Sequence, residues 1–285
     1  MTTILGFCVV ALAAYIILSG QVDGDFALAL KMYVKTESLL FVLLATFGCV
    51  VVRSRVSDLV SLPRALSKAF FIKLDEPTTV IAQLMDIAQL KRKKGLVALE
   101  DLRIRDNFFQ SAVEMLLFGH NRDAIVLSLR NKIFEMRERH SKASEALRSI
   151  EDIAPAAGMV GTMIGLVGMM TSMGMGDDGL GSIGRDFAIA LLTTLYGSLL
   201  AFIIAKPLAE KLDNYSRVEQ LNNWLVHDGM GLIHDDTDPL EIGSILIQRL
   251  DSKTSQTVSL DKYPNVASAI DIGAKQKNGK GKRST

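Results

Sequence analysis

Apolar and polar positions sort the chain into blocks. Four runs are apolar enough to cross a bilayer as helices: about 3–20, about 36–52, 153–175 and 187–205. The second is the shortest in charge-free length, since Lys35 and Glu37 stand at its start and must lie at an interface. The last two carry no charged side chain. Between and after them the pattern changes to amphipathic. Helical periodicity over 80–89 places Val80, Ile81, Leu84, Ile87 and Ala88 on one apolar face, and Lys91, Arg92, Lys93, Lys94 and Gly95 close that helix with cations and a glycine. Pro63 and Pro77 are expected to break the chain before it. A second helix is expected to carry Leu96, Leu99, Glu100, Asp101 and Arg103, a third to cover 107–118, and a long one to run from 123 to 150. Beyond the fourth run, Pro207 ends or kinks the membrane helix, 208–233 resumes as an amphipathic helix, 239–250 forms one more, and the Lys, Gly and Asn-rich stretch 274–285 reads as disordered.

The expected fold class is therefore an all-α integral membrane protein, four spans in a two-plus-two arrangement with a helical cytoplasmic domain. Residues 1–52 hold the first pair and its link, 53–152 the cytoplasmic helices, 153–206 the second pair, and 207–285 the C-terminal helices and basic tail. Orientation follows from basic residues. The links 21–35 and 176–186 have no excess of them, whereas Arg53, Arg55, Arg64 and Lys68 follow the second run, Arg148 precedes the third, and Lys206 and Lys211 follow the fourth. Both termini then lie in the cytoplasm.

Composition agrees: 49% of the 285 residues are hydrophobic, and the formal charge of +1 conceals the partition into charge-free and charged blocks. Cys8 and Cys49 each sit inside an apolar run, where a thiol packs as a small hydrophobe. The four histidines, at 120, 140, 227 and 234, lack the spacing of metal ligands. Two overlapping G-x-G-x-x-G matches, 174–179 and 179–184, have no strand before them and enclose Asp177 and Asp178, which would repel phosphate. No nucleophile and base can be paired, so no covalent chemistry, no cofactor and no nucleic-acid partner are expected.

The candidate chemistry lies in the last two runs. Gly158, Gly161 and Gly165 form a small-residue stripe that lets another helix approach closely. Thr162 shares that helix, and Thr193 and Thr194 lie in the other. If 153 and 205 share a membrane face, a rise of 1.5 Å per residue puts Thr162 roughly 14 Å and Thr194 roughly 17 Å from it, near the middle of the hydrocarbon. Hydroxyls and carbonyls can hold a partly dehydrated small cation without burying a charge. Transport also needs a carboxylate, and the first, third and fourth runs have none. That acid must come from another subunit.

These residues resemble a known family. The segments 153–167 and 190–197, with the charged stretch around Arg92 and Glu100, look like the stator A subunits of the flagellar motor, the MotA/PomA family, and most like its sodium-driven branch. The resemblance covers about 1–235. It implies an ion channel coupling sodium flow to torque, with Thr162, Thr193 and Thr194 on the ion path and Pro155 and Pro207 as coupling prolines. It further implies a rotor-facing patch of Arg92, Lys93, Glu100 and Asp101. The implied partners are a B-type subunit with a membrane aspartate and a peptidoglycan-binding domain, the rotor protein FliG, and four more copies of this chain in a pentamer. The implied location is the bacterial inner membrane. Lys35 stands where the sodium branch carries an acid, and Arg103 replaces an acid in the rotor patch. Three alternatives share parts of this pattern: a proton-driven stator, a TolQ/ExbB-like energiser of outer-membrane work, and a membrane scaffold with no ion path.

Overall fold

In a computed structural model the described residues are 6, 8, 9, 12, 15, 16, 32–54, 56–71, 74–100, 102–174 and 179–250. Most of the first expected span, most of the link 21–35, Asp101, Asp177, Asp178 and the tail after 250 lie outside them. The described chain is helical, with α1 at Thr36–Arg53, α2 at Val56–Phe71, α3 at Pro77–Lys94, a 3₁₀ turn at Leu96–Leu99, α4 at Asn107–Leu117 and α5 at Arg122–Gly174. It continues as α6 at Gly179–Ser198, a π-helical segment at Leu199–Ala205, α7 at Lys206–His234 and α8 at Pro239–Ile247. Three stretches among the described residues are long and apolar enough to cross a membrane: α1, α5, and the continuous run Gly181–His234.

Two compact units divide the chain, 1–63 with 143–210 and 64–142 with 211–285. These limits cut α2 at Pro63, and they also cut α5 and α7 within their lengths. The sequence divisions at 152 and 206 rest on where charge ends rather than on packing.

In the first unit α1 packs on α6 through Ser38, Val42, Thr46 and Val50, a stripe at four-residue spacing. Its opposite face leaves Leu40, Leu44 and Phe47 exposed, as do Met159, Met163, Val167 and Met170 on α5. Such a surface is unsuited to water and suited to lipid or to a neighbouring apolar helix. Cys49, expected to pack, lies on this outer side of α1.

The second unit has a core like that of a water-soluble protein. Ile81, Leu84 and Ile87 of α3 meet Leu99, Val113, Ile125, Leu129, Met230 and Ile242, all buried. Gly229 lets α7 pass close to Leu84, since a Cβ there would come within 2.7 Å of the leucine side chain. Caps define the ends. Asp106 accepts from the N–H groups of Phe108 and Phe109, Asp238 accepts from that of Leu240, and Gly95 takes a left-handed φ of 77° after α3.

Three expectations change. Pro63 does not break the chain; it lies inside α2 at an exposed position, where the missing hydrogen bond costs least. The second expected helix, over Leu96 to Arg103, shrinks to one 3₁₀ turn, because Leu99 is pulled into the core and the chain must then turn to reach the Asp106 cap. The long helix from 123 and the third span fuse into one, α5, through Pro155.

Asp86 of α3 was not singled out by the sequence. Burial pushes its carboxyl up to about 6, and Oδ2 is enclosed with no hydrogen-bond partner among the described residues. A carboxyl that holds its proton more tightly folded than unfolded supports the fold below pH 4, and that support is lost as pH rises through 6. Asp86→Asn should therefore unfold at a higher temperature than the wild type at pH 7, with the advantage vanishing toward pH 4; a difference independent of pH in thermal unfolding would contradict the assignment.

Candidate functional site

Helices α5 and α6 run antiparallel at backbone contact. Along the seam, a Cβ on Gly158 would fall 2.8 Å from the Thr193 carbonyl oxygen, one on Gly161 2.7 Å from Thr193 Cβ, and one on Gly165 2.8 Å from Ala190 Cβ. From the other side, a Cβ on Gly197 would lie 2.5 Å from the Ala154 carbonyl oxygen. The three glycines singled out by the sequence thus face α6. Gly197, one turn beyond Thr193, is the fourth member, and the same small-residue reasoning extended along α6 would have found it.

This approach brings five oxygens together. The Thr162 hydroxyl lies 3.1 Å from the Gly158 carbonyl and 3.1 Å from that of Ala190, and shares a short hydrogen bond with the Thr194 hydroxyl. Thr194 Oγ1 is also 3.4 Å from the Gly158 carbonyl. Thr193 donates to Ala190 at 2.8 Å. The three threonines differ in access: Thr194 is exposed and Thr162 half-buried, while Thr193 is buried at 1% exposure against Gly161. The first two form a paired surface group, and the third packs behind them. Every one of the five oxygens is neutral, so the cluster can solvate a small cation but cannot balance its charge. Among the described residues no cluster of three His, Cys, Asp or Glu side chains could hold a metal.

At one end of the seam, ion pairs level the helices. Arg53 at the end of α1 meets Asp152 at 3.5 Å, and Lys206 meets Glu151 at 3.6 Å. These pairs place 53, 151–152 and 206 at one height, the condition assumed in comparing the threonine depths. Pro155 and Pro207 stand just beyond the same pairs. Pro155 leaves the Glu151 carbonyl without its helical donor. Before Pro207 the chain widens into the π segment, where the Lys206 N–H donates to Ala201 five residues back. The wider turn relieves the clash of the proline ring with the preceding turn. Between Thr194 and Gly197, Tyr196 ties α6 to the start of α1, its hydroxyl donating to the Tyr33 carbonyl and accepting from the Lys35 N–H at 3.0 Å. No sequence signal marked Tyr196 for this.

The charged patch is partly engaged within the second unit. Lys91 donates to the carbonyls of Ile233 at 2.6 Å and His234 at 3.2 Å, capping α7, and meets Asp236 at 2.8 Å. Arg92 pairs with Asp238. Hydrogen bonding and charge from Lys91 hold the Asp236 carboxyl below its ordinary range; the Leu240 N–H and Arg92 do the same for Asp238. Lys93 and Glu100 are exposed.

Residues 100–224 match the MotA/TolQ/ExbB proton channel family. The chain is also 34% identical over 233 residues to the chemotaxis protein PomA of Vibrio alginolyticus, covering 82% of this chain and 89% of that one. The chain belongs to the MotA/TolQ/ExbB family. Within it, this is a stator ion-channel subunit of MotA/PomA type. It is 35% identical over 198 residues to motility protein A of Cereibacter sphaeroides, covering 70% of this chain and 77% of that one. Its fold matches the flagellar MotAB stator complex from Bacillus subtilis, with a TM-score of 0.75 at 20% identity, covering 89% of this chain and 97% of that one.

For this stator subunit the seam predicts a sharp contrast between glycines. Gly197→Val drives a side chain into backbone and should abolish stable accumulation in the membrane, whereas Gly48→Ala, with nothing within 4 Å of its Cβ, should leave it unchanged. Equal amounts of the two variants in isolated membranes would show that the helices can separate at no cost.

Proposed function

We propose that this chain is the A subunit of a sodium-driven flagellar stator, with Thr162 and Thr194 on the ion path. The observation that carries the reading is the pairing of these two hydroxyls with the Gly158 and Ala190 carbonyls at mid-seam, accessible from one side, with no carboxylate in the apolar runs 153–175 and 187–205. A neutral oxygen cluster open on one face suits an ion shared with an acid on another chain, here a B-type subunit anchored to peptidoglycan. The similarity to PomA favours sodium. The proton reading draws on the family's description and on Lys35, which stands where the sodium branch carries an acid. Thr193 then serves as a support, holding Gly161 and the Ala190 carbonyl in place.

The chain would lie in the inner membrane with both termini cytoplasmic, as five copies around the B subunits. Pro155 and Pro207, each removing a helical hydrogen bond beside the levelling ion pairs, are the places where ion passage could alter helix geometry most easily. One elementary charge crossing 100 mV releases about 2.3 kcal/mol, so torque arises from many small steps. On the rotor side Lys93 and Glu100 are exposed charges offered to FliG, with Arg92 shared between Asp238 and the rotor.

Swimming of cells carrying this subunit and its B partner should fail when sodium is replaced by potassium, and undiminished speed would sink the sodium reading. Thr162→Ala should abolish swimming while the subunit still co-purifies with its partner; loss of co-purification would make the hydroxyl structural. Lys93→Glu should weaken torque and be offset by reversing a charge on the rotor, and normal torque in that variant would move the rotor contact elsewhere.

A further inference from the structure

The α5–α6 seam carries one feature beyond the threonine cluster. Asp186 stands two turns before Thr194 on the same side of α6, with Ala190 between them. A Cβ on Gly165 would lie 2.9 Å from the Asp186 carbonyl oxygen, and one on Gly168 would lie 3.4 Å from its carboxylate. Gly158 and Gly161 seat Thr193 and Thr194 at one level, and Gly165 and Gly168 seat Asp186 at another, on the same track. Its carboxylate is half-buried and accepts from the Ser172 hydroxyl of α5 at 2.9 Å. No cation among the described residues pairs with it.

Height along the seam decides what this group can do. Counting from the ion pairs at 206, Asp186 lies about 30 Å away, at the far edge of a hydrocarbon layer about 30 Å thick, and about 12 Å beyond Thr194. A carboxylate at such an edge, held by a single hydroxyl and with no compensating cation, is costly unless a counter-ion visits it. Sodium arriving from the far side meets this charge before it reaches the neutral oxygens.

We infer that Asp186 is an outer cation-holding residue, which concentrates sodium at the far mouth of the α5–α6 seam ahead of Thr162 and Thr194. Ser172 is its positioning residue, holding carboxylate Oδ2 by a hydrogen bond. The inference rests on the sodium-stator reading. It assigns Asp186 to apparent ion affinity and leaves maximal speed to the threonine cluster and the partner's acid.

The test is swimming speed against sodium concentration, at low and at high potassium chloride, in cells expressing the complete stator with wild-type subunit, Asp186→Asn or Asp186→Glu. Asp186→Asn should raise the half-saturating sodium concentration on the order of tenfold at low ionic strength while reaching wild-type speed at saturation. Asp186→Glu should restore the wild-type value. Added potassium chloride should raise the half-saturating concentration of the wild type and leave that of Asp186→Asn nearly unchanged, because screening acts only where the charge is present. An unchanged half-saturating concentration in Asp186→Asn, with or without a lower maximum, overturns the inference. If that variant does not accumulate in the membrane, Asp186→Ser, small enough for the gap beside Gly168, is read by the same criterion. Wild-type speed that ignores sodium overturns the sodium reading and this inference with it; a sodium-dependent wild type without the shift overturns this inference alone.

Discussion

Backbone contact between α5 and α6 is the constraint on which the rest of the first unit depends. In a membrane no hydrophobic force draws two apolar helices together, so their association relies on close van der Waals packing and on hydrogen bonds between them. Both are present here at the same residues. Glycines at 158, 161, 165 and 197 remove the side chains that would keep the backbones apart, and the gap they leave is too small for any Cβ. Only at this separation can Thr162 of one helix reach the Ala190 carbonyl and the Thr194 hydroxyl of the other. Packing and oxygen cluster are consequently one feature, and a change that loosens the first disperses the second.

The register of that contact is set by pairs at one end, and α1 is tied to it in the middle. Arg53 with Asp152 and Lys206 with Glu151 level one end, and near mid-height Tyr196 fastens the start of α1 to α6. These pairs are exposed or half-exposed, and individually such contacts contribute only about 0–1 kcal/mol. Their value is positional. An axial slip of one residue moves a hydroxyl about 1.5 Å along the seam and rotates it away from its acceptors. The proline positions beside the lower pairs gain meaning from this, because a helix missing one hydrogen bond bends there more readily than elsewhere.

The second unit follows a different logic. Its core closes through aliphatic burial around Leu84, Leu99 and Leu129, and Lys91 and Arg92 fasten chain ends. Lys91 caps α7, and Arg92 meets the residue that caps α8. The basic run that ends α3 thus has structural duties toward 233–238 as well as a surface to offer. Arg92 need not choose between these, since its guanidinium presents five donors and Asp238 takes only part of them.

Much of this was legible in residue order. Helical periodicity placed α3, α4, α7 and α8, and the apolar runs placed α1 and the membrane parts of α5 and α6, because helix length and polarity are properties of consecutive residues. The depth match of Thr162 and Thr194 was also legible, because rise per residue is constant. What the sequence could not decide was direction around the helix axis and the partner across it. Thr193 and Thr194 are adjacent and chemically identical, yet one is buried against Gly161 and the other faces outward beside Thr162. Pro63 inside α2, the 3₁₀ turn in place of a second helix, and the occupation of Arg92 by Asp238 depended likewise on which surfaces met. Composition and spacing set the long helices and roughly how deep each group on them lies. Only the contact between helices decides which side chains share a site, because that is fixed by the register and azimuth of two surfaces far apart in the chain.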